Sequence, residues 1–451
     1  MLQLAKEPAP NGLPIGEGVS DAFDRAADTV YNQGGFNADD MTNDAARQLL
    51  TATANTIKQG VDSHLPLDVP PTLRYALENN AFIFSGLKTF HALREVGLSM
   101  VNDDGSIKSF DEFKADVKQI NQRYNENYLY AEYKHAVGTS QMAAKWVDIE
   151  ADGDRYDLQY RTAGDNKVRP DHAALDGITL PPSDPFWSKY YPPNGWGCRC
   201  TAVQVRVGKY PRSNPADAMQ AGDVATDEAK QKMFRYNAGK TMQLFPPKHP
   251  YYKAPVGAKA VVQQVAKTEC ARSRYNDYLA DDNYNDVQFN ESTGAIMATH
   301  AGHLDDKPQR NRFGLTAFEM EKQCQQQAFR MGKSAILRDE SRKDDSGNTL
   351  PALDLELDGV VMDIASVTDT TLYGSILCGK NKQLGRVKRK TGLVSDSLCL
   401  FFYDSRMFSH DVMLQQIEWY KQKIVEYGSK QRIKHIYCIV NGESEIKVYD
   451  L

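Results

Sequence analysis

Residues 354–365 read DLELDGVVMDIA, and this short stretch restricts the local fold to a hairpin. An acidic strand leads into Asp358-Gly359, a dipeptide suited to a tight turn, and a second strand runs from Val360 to Ala365. Asp363 lies between Met362 and Ile364 in an apolar run, where a lone carboxylate is costly unless it is paired or metal-bound. Asp354 stands at the head of the partner strand, so closing the hairpin brings two acids together. Two carboxylates on adjacent strands, with a cation beside them, are what metal-assisted phosphodiester cleavage requires. The cation is expected two residues after Asp363, on the same face of the strand, and the chain has Ala365 there. The pattern is that of a cleavage site lacking one catalytic group.

With 451 residues the chain is long enough for two or three domains, and 41% hydrophobic with 25% charged residues excludes disorder as the default. A formal net charge of -5 excludes a protein that coats nucleic acid by bulk positive charge, so any such contact needs a local patch. One patch exists in KNKQLGRVKRK, with Lys380, Lys382, Arg386, Lys388, Arg389 and Lys390. It is either a solvated face or a phosphate-binding surface beside the acidic hairpin. No apolar run reaches the length of a membrane span, and the opening MLQLAKEPAPNGLPIG lacks the apolar stretch of a secretory signal. Synthesis in the cytoplasm, with any export by other machinery, is therefore expected. Of seven cysteines, Cys270, Cys324, Cys378, Cys399 and Cys438 are far apart and are predicted to be reduced, buried thiols.

A mixed, multidomain fold is predicted: a mostly helical first part, then an α/β domain. Residues 1–108 are helix-prone, with amphipathic stretches at Val19 to Tyr31 and Ala45 to Val61. Ser109 and Glu112 form a capping box, and Phe113, Val117, Ile120, Tyr124, Tyr128 and Ala131 recur at helical spacing, predicting a long helix from Ser109 to Val137 with a packing seam. Residues 169–200 lose periodicity but carry Trp187 and Trp196, so they read as an ordered irregular segment that something must hold together, within a core at 109–206. Residues 207–269 read as a linker region, with the boundary near 260 and the last domain at 270–451. There a second capping box, Thr316 with Glu319, starts a helix to Met331. Strands are predicted at Ala335 to Arg338, Leu353 to Leu357, Val360 to Ala365 and Leu398 to Tyr403, then a helix from Ser409 to Tyr427 and a final strand pair.

Around the hairpin, the candidate catalytic residues besides Asp354, Asp363 and position 365 are Glu319, Glu340, Gln383, His300 and His303. Glu319 either completes its capping box or faces the site, and Glu340, in RDESRKDD, is either a solvated carboxylate or a third metal ligand with Asp354 and Asp363. Elsewhere His172, Cys198 and Cys200 offer either three metal ligands or a structural cluster without metal, the Cys-x-Cys spacing being tighter than the usual zinc pair.

Two resemblances follow from these residues. YRTAGDNKVRPDHAALDG, followed by FW and PPNGWGCRC, resembles the phage Mu F-like head-morphogenesis family over roughly residues 90–206. That resemblance implies a minor head protein near the portal. From about Asn290 to Gln383, GAIMATHAGH, the FEME helix, the DE after the first strand and DLELDGVVMDIASV resemble the toxin domains of contact-dependent growth-inhibition proteins, nucleases of the PD-(D/E)xK type with a restriction-endonuclease-like core. That resemblance implies Mg²⁺ or Zn²⁺ as cofactor, tRNA or DNA as substrate, a cognate immunity protein as partner, and a lysine where this chain has Ala365. The fusion is similar to phage-encoded polymorphic toxins, which implies a place in the virion or bacterial cytoplasm, with the toxin acting in the target cell. A nuclease impaired by Ala365 is the reading these features favour. The alternatives are a structural capsid protein with a docking module, and a metal-independent RNase centred on His300 and His303.

Overall fold

In the computed structural model, residues 17–66, 69–305, 307–368 and 373–451 are described; the opening segment MLQLAKEPAPNGLPIG lies outside them. The chain forms two compact units, Met1–Val69 with Leu73–Cys270, and Pro70–Thr72 with Ala271–Leu451.

The first unit is built on helices α1 (Glu17–Asn32), α2 (Asp44–His64), α3 (Pro71–Ser99), α4 (Phe110–Asn121) and α5 (Leu129–Asp152). Ser109 and Glu112 close the predicted capping box at the start of α4. The predicted single helix is instead α4 joined to α5 through a π-helical turn at Gln122–Tyr128, and it continues to Gly153, whose φ of 56° ends it. Phe113, Val117, Ile120, Tyr124, Tyr128 and Ala131 are all buried, so the seam is core packing. Beyond it, β1 (Tyr156–Arg161) pairs antiparallel with β2 (Thr179–Leu180) and β3 (Thr201–Arg206), interleaved with short helices α6 (Pro170–Ala173) and α7 (Phe186–Tyr190). Trp187, Tyr190 and Tyr191 pack there against Leu158 and Tyr160. Residues 207–269 are not a linker: they carry α8 (Pro215–Ala225), α9 (Ala238–Thr241) and most of α10 (Val256–Ala280), and Leu244, Phe245 and Tyr251 sit in the main core. Pro215 and Pro250 take the first helical position after the caps Asn214 and His249, around buried aromatic rings, which composition alone presents as linker-like.

The second unit is an eight-stranded mixed sheet: β4 (Tyr284–Phe289), β5 (Ile296–His300), β6 (Ala335–Leu337), β7 (Leu355–Leu357), β8 (Val360–Val367), β9 (Ser397–Phe402), β10 (His435–Val440) and β11 (Lys447–Asp450), ordered spatially as in sequence but reversed. Helix α11 (Ala317–Arg330) packs Met320, Cys324 and Ala328 on one face, against Leu355, Met362, Ile364 and Phe401. The other face meets α12 (Tyr373–Thr391) and α13 (His410–Glu426), through Leu377, Leu384, Met413 and Ile417 against Val361, Val367, Leu400 and Ile436. With both faces covered, β9 and β10 must be apolar on both sides, which is why they read as continuous hydrophobic runs. Helix α12 was not predicted; its sequence appeared only as a charge run. All seven cysteines are free, Cys198 and Cys378 only half-buried. Among the described residues no helix is long and apolar enough to cross a membrane.

Candidate active site

The hairpin closes at Asp358-Gly359, with φ of 46° and 84°, and Asp358 Oδ1 accepts from Ser334 N at 2.9 Å, so this acid serves the turn. Leu355 pairs with Met362 across the hairpin, and one further step of that register sets Asp354 opposite Asp363. Asp354 lies just before β7 rather than in it, and its Oδ2 accepts from Ile364 N at 2.9 Å. Asp363 is fully buried on the α12 face of β8, where its Oδ1 accepts from Lys380 Nζ at 2.8 Å and no donor reaches Oδ2. A cation thus stands beside Asp363, but from a helix and not from position 365. Ala365 itself packs in the apolar cluster, beside its parallel partner Leu400.

A second group of side chains adjoins Asp354. His303 is buried; its Nδ1 donates to Arg338 O at 3.0 Å and lies 3.7 Å from Glu340 Oε1, while Nε2 is 2.9 Å from Glu321 Oε2. The ligand atoms of His303, Glu321 and Glu340 all lie within 4.8 Å of one another, a group that could hold a metal ion. The expected trio of Asp354, Asp363 and Glu340 does not close in that way among the described residues. Lys380 draws Asp363 toward α12, and Glu340 turns instead to His303.

Charge explains how these acids coexist. Burial, and then the Asp354 carboxylate, push Asp363 well above the usual range and Glu340 up to about 9. Burial would raise Asp354 too, but hydrogen bonds with Asp363 and Glu340 and the Lys380 ammonium hold it below its ordinary value. Burial opposes the charge on Lys380, yet Asp363 and Asp354 outweigh it and keep the ammonium protonated.

Several expected residues stand elsewhere. Glu319 reciprocates the capping box with Thr316 and pairs with Arg310 at 3.0 Å, so Glu321, two residues on, is the acid of α11 that reaches the site. The capping box was itself the signal, because it spends the Glu319 carboxylate. His300 and His303 do not form one centre: His300 accepts from Gly302 N and lies 3.9 Å from Asp339, in a separate cleft with Arg342. Lys380 is an internal ion-pair partner rather than a surface cation, whereas Lys382, Arg386, Lys388 and Arg389 are exposed along α12. Gln383 is half-buried one turn beyond Lys380. In the first unit, His172, Cys198 and Cys200 do converge, with ligand atoms within 4.8 Å of one another.

Residues 106–203 match the family model described as Phage Mu protein F like protein, where the resemblance was read over 90–206. The chain is similar to the "Putative capsid assembly protein F" of Escherichia phage Mu, 32% identical over 105 residues, which is 22% of this chain and 24% of that protein. It is also similar to the "Mu-like prophage FluMu F protein" of Haemophilus influenzae, 34% identical over 89 residues, 18% of this chain and 22% of that protein. The chain spans about a quarter of the length of the curated relatives it matches. No solved structure matches it.

Proposed function

We propose that the chain is a phage minor head protein whose second unit is a metal-dependent nuclease, of restriction-endonuclease-like fold, delivered to a target bacterium. Similarity of residues 106–203 to capsid assembly proteins supports the first half, with capsid or portal as partner. The second half is carried by one observation: Lys380 reaches Asp363 at 2.8 Å on the face where Asp354 meets it. Two acids and a cation are then assembled although position 365 is alanine.

The residues present suit a divalent ion, since Asp363 Oδ2 is buried without a donor and Asp354 lies beside it. Oxygen donors favour Mg²⁺, which supplies a Lewis acid for the phosphate and a bound water of lowered pKa. Asp354 and Asp363 would hold it, while Glu340 stays with His303 and Glu321. Lys380 offsets charge on the attacking and phosphoryl oxygens, and the exposed cations of α12 hold the substrate backbone. On this reading the chain is active, and a cognate immunity protein protects its producer.

Full-length protein incubated with total RNA and supercoiled plasmid should cleave one of them with Mg²⁺ and neither with EDTA. Removing Lys380 alone leaves the coupled Asp354–Asp363 pair buried without its cation, so the informative variant is Asp363→Asn with Lys380→Met, which removes both partners of the ion pair. It should fold and lose on the order of 10²- to 10³-fold in rate. Intact RNA and plasmid with the unaltered chain in Mg²⁺ and Mn²⁺ would refute the nuclease half and leave a structural head protein.

A further inference from the structure

The segment between β1 and β3 is held by little regular structure: α6, α7 and the two-residue β2 are its named elements. At its end, Arg199 is drawn outward, its guanidinium forming a fork on Asp165 at 2.6 and 2.7 Å. The flanking sulfurs of Cys198 and Cys200, at i and i+2, turn to the other side and meet His172 of α6. Cys198 Sγ lies 3.5 Å and Cys200 Sγ 3.7 Å from His172 Nδ1. Bond lengths of about 2.0 Å to nitrogen and 2.3 Å to sulfur put a nitrogen–sulfur edge of a tetrahedral zinc site at about 3.5 Å. The observed distances match that edge. A lone pair of cysteines would not specify a metal, but two thiolates with an imidazole suit zinc far better than magnesium or calcium.

We infer that His172, Cys198 and Cys200 bind one Zn²⁺, which ties α6 to the start of β3. All three residues line a cleft of about 650 Å³ shared with Lys134, Lys167 and Arg169, so the fourth position is open to water from that cleft. The site lies wholly in the first unit and does not depend on the nuclease reading. It also answers what holds residues 169–200 together, since His172 is linked to sulfurs 26 and 28 residues further along.

The test uses the purified full chain, reduced and free of chelating tags. Metal analysis should find one zinc per chain that survives Asp354→Asn with Asp363→Asn. Cobalt added to zinc-stripped protein should give a thiolate-to-cobalt charge-transfer band, and Cys200→Ser or His172→Ala should weaken cobalt binding at least about tenfold. Because the band is read on the unaltered chain, misfolding of a variant cannot hide a failure. No thiolate band with both thiols titrating as free, Cys198 joined to Cys200 as a disulfide, or zinc content unchanged in Cys198→Ser with Cys200→Ser would each overturn the assignment.

Discussion

Glu319 and Glu321 stand two residues apart on α11 and do different work, because one carboxylate is spent on the Thr316 backbone N–H and Arg310 and the other on His303. Glu319→Gln should lower stability by on the order of 1 kcal/mol, through the weakened cap and its exposed pair with Arg310, and leave cleavage intact. Glu321→Gln should leave the urea midpoint nearly unchanged and slow cleavage by about tenfold, because His303 loses the partner that fixes its ring. The reverse pattern would mean that α11 contributes nothing to the site. Asp363 was legible because it interrupts an apolar strand, and Asp354 because it stands at the head of the partner strand between Leu353 and Leu355, where a carboxylate needs a reason. Lys380 was not, lying 17 residues from its partner in a run of like charges, where nothing local marks the inward one. Position 365 is alanine, and strand spacing alone cannot show that a lysine from a helix lies beside Asp363.

Helix α12 shows why the elements were only partly legible. Tyr373, Leu377, Leu384 and Val387 form its buried stripe, but Gly374, Gly379 and Gly385 and the basic run dilute the periodicity. Strands β8 to β10 were readable for the opposite reason: cover on both faces leaves long apolar runs, broken within β8 by Asp363 and Ser366. On the exposed side of α12, Lys382, Arg386 and Arg389 are spaced i, i+4 and i+7 and therefore align along one face, while Lys380 points to the sheet. A substrate backbone lying along that face would be held by about three phosphate contacts. Reversing the three charges together should weaken binding and make the log–log salt slope shallower by about 2 to 3. Fluorescence anisotropy with a labelled RNA or DNA, across a salt series, measures it. An unchanged slope would make the stripe a solvated surface, the other reading of the same residues.

At the scale of the whole chain, the helical unit buries two neutral imidazoles and the sheet unit two raised carboxyls, and acid should separate them; Glu132, raised by burial beside Lys88, offsets part of the imidazole effect in the helical unit. In the helical unit, burial pushes His135 and His249 down to about 3, against 6.5 when free. His249 must stay neutral to work, since its Nδ1 accepts from Tyr251 N at 3.3 Å. The folded state therefore binds fewer protons than the unfolded chain between pH 6.5 and about 3, so stability complete above 6.5 is lost as pH falls. At pH 4.5 each histidine should have cost on the order of 2–3 kcal/mol. The sheet unit behaves in the other sense: burial raises Asp363 and Glu340, so the fold holds protons that the unfolded chain gives up above its ordinary carboxyl values, and lowering pH from 7 to 5 relieves that cost. Calorimetry from pH 7 to 5 should show one transition moving down while the other holds or rises. Trp146, Trp187 and Trp196 belong to the first unit, so the fluorescence midpoint should follow the falling transition, and His135→Gln should reduce its slope by about half. A fluorescence midpoint that stays flat over that range would mean that neither imidazole is buried as a neutral group.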